Sequence, residues 1–441
     1  MGKILLVTPH WGPLFSGRVR RYNRRFLPLD LLNCAALLRN HGHEVSVVDG
    51  RCKPDSLTQI EHDYDWCFFT LSPLDRWQCP NTDFEHLAPI LEPFVKERLV
   101  IMGAQPTLAP ELLLNKTGAH AAILGEPEMA VLALAQGGVP GETPGTAILD
   151  GETLKKGPKG VDLDLATLPM PAFDLIDFAD YRYEVLGKNM GLLELTRGCP
   201  WSCGYCLLSM YPKKYRRKSV AQMVAEIQHA QSLGMESFYF QDLEFTLDAE
   251  FIIELCEAMI SAGVKLRWAC QTRPDTVNQR LLEIMYKAGC ELIQFGVESG
   301  VQRVVDLTDK RQTLAQVETA VDLAHQVGMR TLCYFLLGIP GELPEEMEET
   351  LRFAQHLKPT YASFQPATPY PDTPFYEEQH FENTFPEVFD GALNSDELRA
   401  LARKFTLKFH LNPGYLWRRT VRGGFKGAMT ELGLLYNYIR A

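Results

Sequence analysis

The sequence predicts an α/β protein in which two strand–helix sections are followed by a small helical section. Short apolar runs recur through the first part of the chain, as is typical of parallel strands buried on both faces. A second series of apolar runs, from about residue 188 to 366, alternates with segments of helical periodicity. The 441 residues exceed what one ordinary core accommodates, so more than one domain is expected.

The first section, residues 1–137, is expected to form an open, parallel, Rossmann-like sheet. Its apolar runs are KILLVTP, EVSVVDG, DWCFFTLS, RLVIMGAQ and AAILGEPE. The segment LPLDLLNCAALLRNHGH has helical spacing and stops at Gly42. Ligands of such sheets bind beyond the carboxyl ends of the strands. The residues expected there are His10, Trp11, Thr70, Ser72, Gly103, Gln105, Thr107, Gly125 and Glu126.

The rest of the sequence divides into a linker, a second alternation of strands and helices, and an aromatic-rich C-terminal section. Residues 138–186 are rich in Pro and Gly and are expected to be a linker with one hairpin. Residues 187–378 contain the strand candidates LLELTRG, SFYFQD, KLRWACQTR, LIQFGVES, RTLCYFLLG and YASFQPA. Six βα units fit a partial (βα)6 TIM-like barrel, with its site at the carboxyl ends of the strands. Residues 379–441 are expected to be mostly helical.

The helices of the second alternation are expected at five places, and two of them have evident N-cap residues. Asp248 and Thr313 stand where a side-chain oxygen can accept a hydrogen bond from the first helical turn. The expected helices are 219–233, 248–262, 276–289, 312–327 and 343–357.

Composition excludes several classes of protein. The net charge of −11 disfavours a general nucleic-acid role, although the segments 17–25 and 213–218 are basic and adjoin candidate cofactor loops. No apolar stretch reaches the roughly 18 residues of a membrane span. The N-terminus is typical of a buried strand rather than of a signal peptide. Eight of the eleven cysteines are scattered singly, as reduced buried thiols are, which predicts a reducing cytoplasm.

The segment TRGCPWSCGYC places three cysteines, Cys199, Cys203 and Cys206, within eight positions. No further Cys or His lies between His120 and His229. Three thiolates in this spacing can hold three irons of a cubane cluster, which normally takes four Cys ligands. One iron then stays open, and an open coordination position indicates catalysis. The alternative is a structural zinc site whose fourth ligand comes from a distant part of the chain.

Further motifs end the later predicted strands in order: FQDLEFTLD, QTRPD, FGVESG, FLLGIPGE and ATPYPDTPFYEE. Together with TRGCPWSCGYC they resemble the radical S-adenosylmethionine (SAM) enzymes over nearly the whole chain. The resemblance implies a [4Fe–4S] cluster on Cys199, Cys203 and Cys206, with SAM chelated to the open iron. Tyr205 is then expected against the adenine. The other residues implied to bind SAM are Asp242 or Glu244 (amino group), Arg273 (carboxylate), Glu298 and Ser299 (ribose) and Leu337 (adenine).

The front section resembles the cobalamin-binding domain of one radical SAM branch. Pro9 to Gly12, Ser72-Pro73-Leu74 and the Gly103 loop stand at the corresponding positions, although the Asp that would orient a His ligand is absent. Two ligation states stay open: His10 as the lower cobalt ligand, or base-off cobalamin without a protein ligand. Ser72 and the Gly103 loop are implied to hold the nucleotide tail. A nucleotide-binding domain without cobalamin is the alternative.

The resemblance implies a C-methyltransferase that acts on an unactivated carbon. A 5′-deoxyadenosyl radical would abstract a substrate hydrogen, and methylcobalamin would supply the methyl group. Substrates of the branch include small molecules and peptide or protein side chains such as glutamine, and an external donor of the flavodoxin or ferredoxin type supplies electrons. Two alternative functions are compatible with the same motifs: a cyclase or rearrangement enzyme without methyl transfer, and a non-catalytic cobalamin or redox sensor.

Overall fold

The structure is a computed structural model, and it forms two compact units that we describe separately. The first unit contains residues 1–200 and 207–241, and the second contains 201–206 and 242–441. The four predicted domain ranges stay predictions. The residues that the structure describes are 1–10, 25–57, 59–71, 90–207, 213–377 and 391–419.

The first unit is built on a seven-stranded sheet with the order β2-β1-β3-β4-β5-β6-β7. Its first five strands are parallel, as predicted, because their apolar side chains are covered on both faces. These strands are β1 (Lys3–Thr8), β2 (Glu44–Asp49), β3 (Trp66–Thr70), β4 (Leu99–Met102) and β5 (Ala121–Ile123). The helices of this unit are α1 (Leu29–Asn40), α2 (Ala104–Leu108), α3 (Pro110–Thr117), α4 (Glu128–Ala135) and α5 (Val220–Ser232).

The predicted linker contributes two strands to this sheet. The sequence predicted a hairpin in the linker but did not indicate that the hairpin joins the sheet. The expected hairpin is formed by β6 (Thr146–Asp150) and β7 (Thr153–Lys156). β6 pairs antiparallel with β5, so the hairpin continues the sheet from its β5 edge. The physical reason is that pairing satisfies backbone groups that an open edge would leave exposed. A further small hairpin joins β8 (Arg182–Tyr183) to β9 (Gly187–Lys188).

The predicted strand LLELTRG is two strands. β10 (Met190–Leu193) pairs in parallel with β13 (Ser237–Phe240), whereas β11 (Thr196–Arg197) pairs antiparallel with β12 (Arg216–Arg217). All four belong to the first unit. The chain therefore leaves its parallel pairing at Leu193, six residues before the first cysteine of the motif.

The second unit carries the remaining predicted parallel strands and their helices. β14 to β17 pair in sequence order, and every pair is parallel. The strands are β14 (Arg267–Thr272), β15 (Cys290–Glu298), β16 (Arg330–Leu337) and β17 (Tyr361–Pro366). The helices are α6 (Ala249–Ser261), α7 (Gln279–Lys287), α8 (Gln302–Leu307), α9 (Leu314–Gln326), α10 (Pro344–Leu357), α11 (Pro374–Glu377) and α12 (Ser395–His410).

Several predictions of local structure are confirmed in the described ranges. Asp248 and Thr313 cap α6 and α9 through their side chains, and α12 makes the described C-terminal section helical. No described helix has the length and apolarity of a membrane span. The shortest helical elements are 3-10 turns at Pro54–Leu57, Lys96–Arg98, Leu165–Thr167, Phe173–Leu175, Phe178–Asp180 and Pro274–Thr276.

No disulfide bond links the scattered cysteines that the structure describes. Cys52 is partly exposed, and Cys79 lies outside the described residues. The others are buried, as the apolar runs around them predict: Cys34, Cys67, Cys256, Cys270, Cys290 and Cys333.

Candidate functional site

The cysteine loop of the second unit, residues 201–206, is held at its middle by backbone hydrogen bonds. Gly204 donates its N–H to the Thr308 carbonyl at 2.9 Å, and its own carbonyl accepts from the Phe375 N–H at 3.2 Å. Inside the loop, the Cys206 N–H donates to the Cys203 carbonyl at 3.0 Å. A β-carbon at position 204 would lie 3.1 Å from the Phe375 ring, so glycine permits this close approach.

Cys199, Cys203 and Cys206 are partly exposed, and none of them forms a disulfide bond within the described residues. Cys199 belongs to the first unit and the other two belong to the second. Within the described part of the chain, no group of three or more His, Cys, Asp or Glu side chains converges as a metal site. The assignment of these three cysteines as cluster ligands therefore stays a prediction from their spacing and from the resemblance.

Tyr205 lies between a carboxylate and an apolar cluster. Its hydroxyl donates to Glu298 Oε1 at 2.8 Å, and its ring centre lies 6.1 Å from that of Phe375. Burial and the Glu298 carboxylate raise the pKa of Tyr205 well above its ordinary value, so the hydroxyl remains a donor at neutral pH. Besides Tyr205 and Phe375, the cluster contains Val301, Val304, Leu336, Ile339 and Ala367.

Glu298 ends β15 in the left-handed region, with φ of +69°. Its Oε1 accepts from Tyr205 and forms an ion pair with Lys310, whose Nζ also donates to the Gly296 carbonyl at 2.7 Å. No described residue bonds Oε2, so this oxygen suits the ribose contact that the resemblance implies. Ser299 differs: its hydroxyl bonds Thr350 Oγ1 at 3.0 Å and is fully buried, so the structure places it away from a ligand role.

Glu244 uses its carboxylate within the protein. Oε1 accepts from the hydroxyls of Thr272 and Thr276 at 2.5 and 3.0 Å, and Oε2 accepts from the Arg273 N–H at 3.0 Å. Burial raises the pKa of Glu244, and these hydrogen bonds oppose the shift. The sequence left Asp242 and Glu244 open as the acid facing the SAM amino group. Glu244 thus already accepts hydrogen bonds from three donors, and both acids stay predicted candidates for the SAM amino group.

Arg273 follows β14 and is 5% exposed. Its Nε and Nη2 donate to the two Asp275 oxygens at 2.8 and 2.7 Å, and Nη2 also donates to the Lys310 carbonyl at 2.6 Å. The guanidinium carbon lies 4.1 Å from the centre of the Trp201 ring, which is a cation–π contact. Nη1 is buried and has no hydrogen-bond partner among the described residues.

The turn after β16 presents Ile339 rather than Leu337 to the apolar cluster. Leu337 is fully buried and is not part of the cluster around Tyr205, whereas Ile339 is. Glu342 Oε2 accepts from the N–H groups of Gly338 and Ile339 at 2.7 and 3.1 Å. The motif FLLGIPGE could have indicated this, since a Gly-rich turn with a following acid commonly closes on its own backbone. The predicted adenine contact, which the motif places between Leu337 and Glu342, stays a prediction, and Ile339 within that range belongs to the same apolar cluster as Tyr205.

The first unit joins two of its predicted loops at the carboxyl ends of the strands. The Thr107 hydroxyl donates to the Gly103 carbonyl at 2.7 Å and accepts from the Gly125 N–H at 2.9 Å. Gly103 and Gly125 have φ of +115° and +82°, which disfavours other residues there. Gln105 is fully buried, and Thr70 ends the neighbouring strand β3.

His10 follows β1 and is partly buried. Burial lowers its pKa, so the imidazole is neutral at neutral pH, which is the form that can bind a metal. Trp11 and Ser72, which the sequence also placed in this site, lie outside the described residues.

Glu126 is part of a buried ionic network in the first unit, and its predicted cobalamin contact stays a prediction. Arg197 Nη1 donates to Glu126 at 3.2 Å, its Nη2 to Glu128 at 2.6 Å and its Nε to Glu194 at 2.9 Å. Arg216 forms a second ion pair with Glu126 and donates to the Leu163 carbonyl. A buried carboxylate with two arginine partners has little capacity left for a ligand.

The basic segment 213–218 is partly internal: Arg216 and Lys218 are buried, whereas Lys213, Lys214 and Arg217 are exposed. The other basic segment, 17–25, lies outside the described residues except for Arg25. Lys218 pairs with Glu226 at 2.7 Å, and both side chains are buried, as is Arg216. Sequence reasoning missed Arg197, Arg216 and Lys218 as internal charges. The signal was present in LLELTRG, because Glu194 and Arg197 within a buried strand require partners.

Comparison with known proteins identifies a domain and a fold. The Radical SAM superfamily matches residues 193–354. An uncharacterized methyltransferase of Pyrococcus horikoshii is 27% identical over 461 aligned residues, covering 96% of this chain and 97% of that protein. An anaerobic magnesium-protoporphyrin IX monomethyl ester cyclase of Cereibacter sphaeroides is 32% identical over 254 residues, covering 56% of this chain and only 40% of the cyclase.

A solved structure extends the likeness to the front of the chain. The radical SAM methyltransferase TsrM from Kitasatospora setae, with cobalamin and a [4Fe–4S] cluster bound, matches with a TM-score of 0.67 and 17% identity. The match covers 84% of this chain and 73% of TsrM. At this identity the likeness establishes the fold: an open α/β sheet followed by the radical SAM strands and helices.

Proposed function

This chain belongs to the radical SAM superfamily through residues 193–354, and we propose that it is a cobalamin-dependent methyltransferase that C-methylates an unactivated carbon. The observation that carries the proposal is the motif of Cys199, Cys203 and Cys206 inside those residues. The α/β sheet that precedes the motif in the chain belongs to a fold shared with TsrM, which supports the same proposal. The near full-length relative from Pyrococcus horikoshii is also named a methyltransferase, which supports the same class.

The residues of the second unit fit the cluster and SAM chemically. Cys203 and Cys206 supply reduced sulfur in a loop whose backbone is already held at Gly204. In this proposal Glu298 Oε2 accepts from the ribose and Ile339 packs on the adenine. Tyr205 holds Glu298 in place through its hydroxyl and contributes its ring to the apolar cluster, which excludes water.

The residues of the first unit fit the tail of cobalamin. Glycines at 103 and 125 let the backbone approach a phosphate, and Thr107 ties the two loops together. His10 is available as a neutral imidazole, but no described carboxylate hydrogen-bonds to it. We propose the base-off state, in which the protein supplies no cobalt ligand.

The need for both cofactors follows from the strength of the bond to be broken. A positioned acid or base contributes roughly 10²–10⁴-fold, which is far too little for an unactivated C–H bond. When bound, SAM on the reduced cluster supplies a carbon radical, and cobalamin supplies the methyl group. The tasks of the protein are then to bind the substrate, orient it and exclude water.

The substrate in this proposal is a small molecule or a peptide side chain such as glutamine. A second TsrM structure contains tryptophan and a SAM analogue, which supports the small-molecule reading. An external donor of the flavodoxin or ferredoxin type would supply the electrons. The buried cysteines, which form no disulfide bond within the described residues, support a reducing cytoplasm.

A cyclase is the second candidate because the Cereibacter sphaeroides relative is 32% identical. Product analysis separates the two. Anaerobic protein loaded with iron, sulfide and hydroxocobalamin is incubated with SAM, reductant and candidate substrates. Methyl transfer yields S-adenosylhomocysteine and 5′-deoxyadenosine in equal amounts. Deoxyadenosine without homocysteine product would favour the cyclase, and neither product would contradict both enzymes.

Cys203→Ala tests the cluster assignment. We expect the variant to lose the cluster absorbance and the formation of deoxyadenosine while cobalamin stays bound, because the loss removes one of only three protein ligands. Cys52→Ala, which changes a partly exposed cysteine outside the motif, is the matched control and should keep both. Iron content and chromatography of the products are the measurements; SAM cleavage retained in Cys203→Ala would refute the assignment.

A further inference from the structure

One face of the parallel strands in the second unit stays partly exposed. From Thr331 onward, the partly exposed residues of β16 alternate with fully buried ones and are Leu332, Tyr334 and Leu336. Because successive side chains of a strand point to opposite faces, these three lie on one face. The other face is covered by a helix, since the ring of Phe364 in β17 packs against Phe405 of α12 at 5.7 Å. Parallel sheets are normally covered on both faces, so the partly exposed face indicates a place for a ligand.

The strand register brings five uncharged polar side chains to this partly exposed face. Residues that are paired in register lie on the same face of a sheet. Gln294 of β15 pairs with Leu332, and Gln271 of β14 pairs with Gln294. On the other side of β16, Ser363 pairs with Tyr334, and Gln365 follows Ser363 by two positions. We call this surface the polar face, and its residues are Gln271, Gln294, Tyr334, Ser363 and Gln365.

The strands bring no charge to the middle of the polar face. Within β14 to β17, all of which the structure describes, the charged residues stand near the strand ends and are Arg267, Glu291, Glu298 and Arg330. Arg330 pairs with Glu291 at 2.9 Å, and Glu298 pairs with Lys310. An ionised group that reached the middle of the face would lose its hydration without gaining a counter-charge from these strands. The polar face therefore favours an uncharged ligand.

Two hydrogen bonds divide the polar face into two pairs. The Tyr334 hydroxyl donates to Gln294 Oε1 at 2.7 Å, and Gln365 Nε2 donates to Ser363 Oγ at 3.1 Å. The second pair keeps unused capacity, because neither Gln365 Oε1 nor the Ser363 O–H has a partner within the described residues. Rotating the Gln365 amide by half a turn exchanges the two roles, but one donor and one acceptor still lie side by side.

The polar face adjoins the apolar cluster around Tyr205. Leu336 packs against that cluster and is the register partner of Gln365. Tyr334 lies two positions earlier on the same face, a separation of about 6.6 Å along the strand. A group held by Gln365 and Ser363 is thus next to the residues that the resemblance implies for SAM.

We propose that Gln365 and Ser363 bind a carboxamide of the substrate, so that compounds with an amide group are the substrate class. The amide N–H donates to Gln365 Oε1, and the amide carbonyl accepts from the Ser363 hydroxyl. A carboxylate has no donor for Gln365 and would add a charge that the face does not balance. Analogues without the amide are rejected because the polar atoms of the site are then left unpaired. This inference rests on the proposed function, since it names the substrate class of the same site.

The test is a binding measurement on protein loaded with iron, sulfide and hydroxocobalamin, in the absence of SAM. The probes are butyramide, butyrate, which replaces the amide by a charged group, and 2-pentanone, which keeps the carbonyl but replaces the NH₂ by a methyl group. Saturation-transfer NMR gives their dissociation constants. We expect wild type to bind butyramide about tenfold more tightly than 2-pentanone, equivalent to about 1.4 kcal/mol for one hydrogen bond, and to bind butyrate most weakly.

Two variants separate the two hydrogen bonds. Gln365→Leu should abolish the advantage of butyramide over 2-pentanone, because it removes the acceptor of the N–H. Ser363→Ala should weaken both neutral probes, because both use the carbonyl; it also decides the matter if Gln365→Leu does not fold. The exchanged pattern would support the same pair with the amide of Gln365 rotated. Gln279→Leu, which removes an exposed glutamine of the same unit, is the control and should bind all three probes as wild type does.

Equal affinities for the three probes, no binding of butyramide, or an amide preference that both variants keep would overturn the inference. The proposed function fails separately. Absence of S-adenosylhomocysteine with every substrate would contradict methyl transfer, whereas an amide preference measured without SAM would still stand.

Discussion

At the scale of single residues, the buried acid Glu342 stands out because its two oxygens have different surroundings. Oε2 accepts from two backbone N–H groups of the turn after β16, whereas Oε1 is buried without a partner in the described structure. Burial raises the pKa of this carboxyl to about 7. The folded protein therefore holds a proton on Glu342 at pH values where the unfolded chain, near 4.5, has lost it.

Glu342→Gln should change the pH dependence of stability. Because the pKa is higher in the folded state, the wild type loses free energy of unfolding as pH rises from about 4.5 to about 7, by at most about 3 kcal/mol. A glutamine can still accept both backbone bonds through its oxygen, so the variant should show a shallower loss. Urea denaturation at pH 5 and pH 8 measures this, with the exposed Glu345→Gln as control. Equal slopes in wild type and Glu342→Gln would contradict it.

Residue types in the site were more predictable than the directions of their side chains. The motifs drew attention to Glu298 and Arg273, whose ligand roles stay predictions and whose Oε2 and Nη1 make no hydrogen bond within the described residues. They did not reveal that Glu244 bonds Thr272 and Thr276, because hydroxyl groups about 30 positions away leave no local signature. Leu337 and Ile339 illustrate the same limit, since a turn decides which of two apolar residues meets the cluster.

At the scale of elements, the short pair β11 and β12 has a buried and an exposed side. Arg216 is 9% exposed and pairs with Glu126, whereas the adjacent Arg217 is exposed. The sequence predicted β11 only as part of the single strand LLELTRG and did not predict β12, because two-residue strands carry no periodicity. Their partners, Glu126 and Glu128, lie about 70 to 90 positions earlier in the chain.

Arg216→Met and Arg217→Met form a matched pair on β12. Losing Arg216 leaves the buried Glu126 with one cation fewer, and we expect a cost of about 3–5 kcal/mol in the free energy of unfolding. Losing Arg217 should change it by no more than about 0.5 kcal/mol. Equilibrium denaturation of both variants is the measurement; similar effects would show that the buried network contributes no special stability.

The parallel strands were predictable because burial on both faces produces continuous apolar runs, and β1 to β5 coincide with such runs. The hairpin of β6 and β7 was expected, but its pairing with β5 was not. Pairing partners are a tertiary property that a Gly- and Pro-rich segment does not encode locally.

At the scale of the whole molecule, the fold carries the functional argument further than any single residue does. The radical SAM match covers residues 193–354, while the likeness to TsrM also includes the front sheet. Sequence motifs predicted this combination because cofactor loops follow strand ends in a fixed order. The substrate was not predictable from the sequence, because no motif selects one chemical class.

His10→Ala tests how the front sheet holds cobalamin. If the cofactor is bound base-off without a protein ligand, the absorption spectrum of protein-bound hydroxocobalamin should be the same in the variant and the wild type. The exposed His62→Ala is the control for nonspecific imidazole effects. A spectral shift confined to His10→Ala would show that this imidazole coordinates cobalt, and it would replace the base-off assignment.

The anchoring of Gly204 from both sides, by Thr308 and Phe375, has a consequence for the maturation of the enzyme. Many small metal-binding folds organise themselves only around their metal, so that loading and folding are one event. Here the chain gives up the conformational entropy of this segment as it folds. Delivery of iron and sulfide can then follow translation as a separate stage, since the backbone of this segment is ordered before the inorganic components arrive.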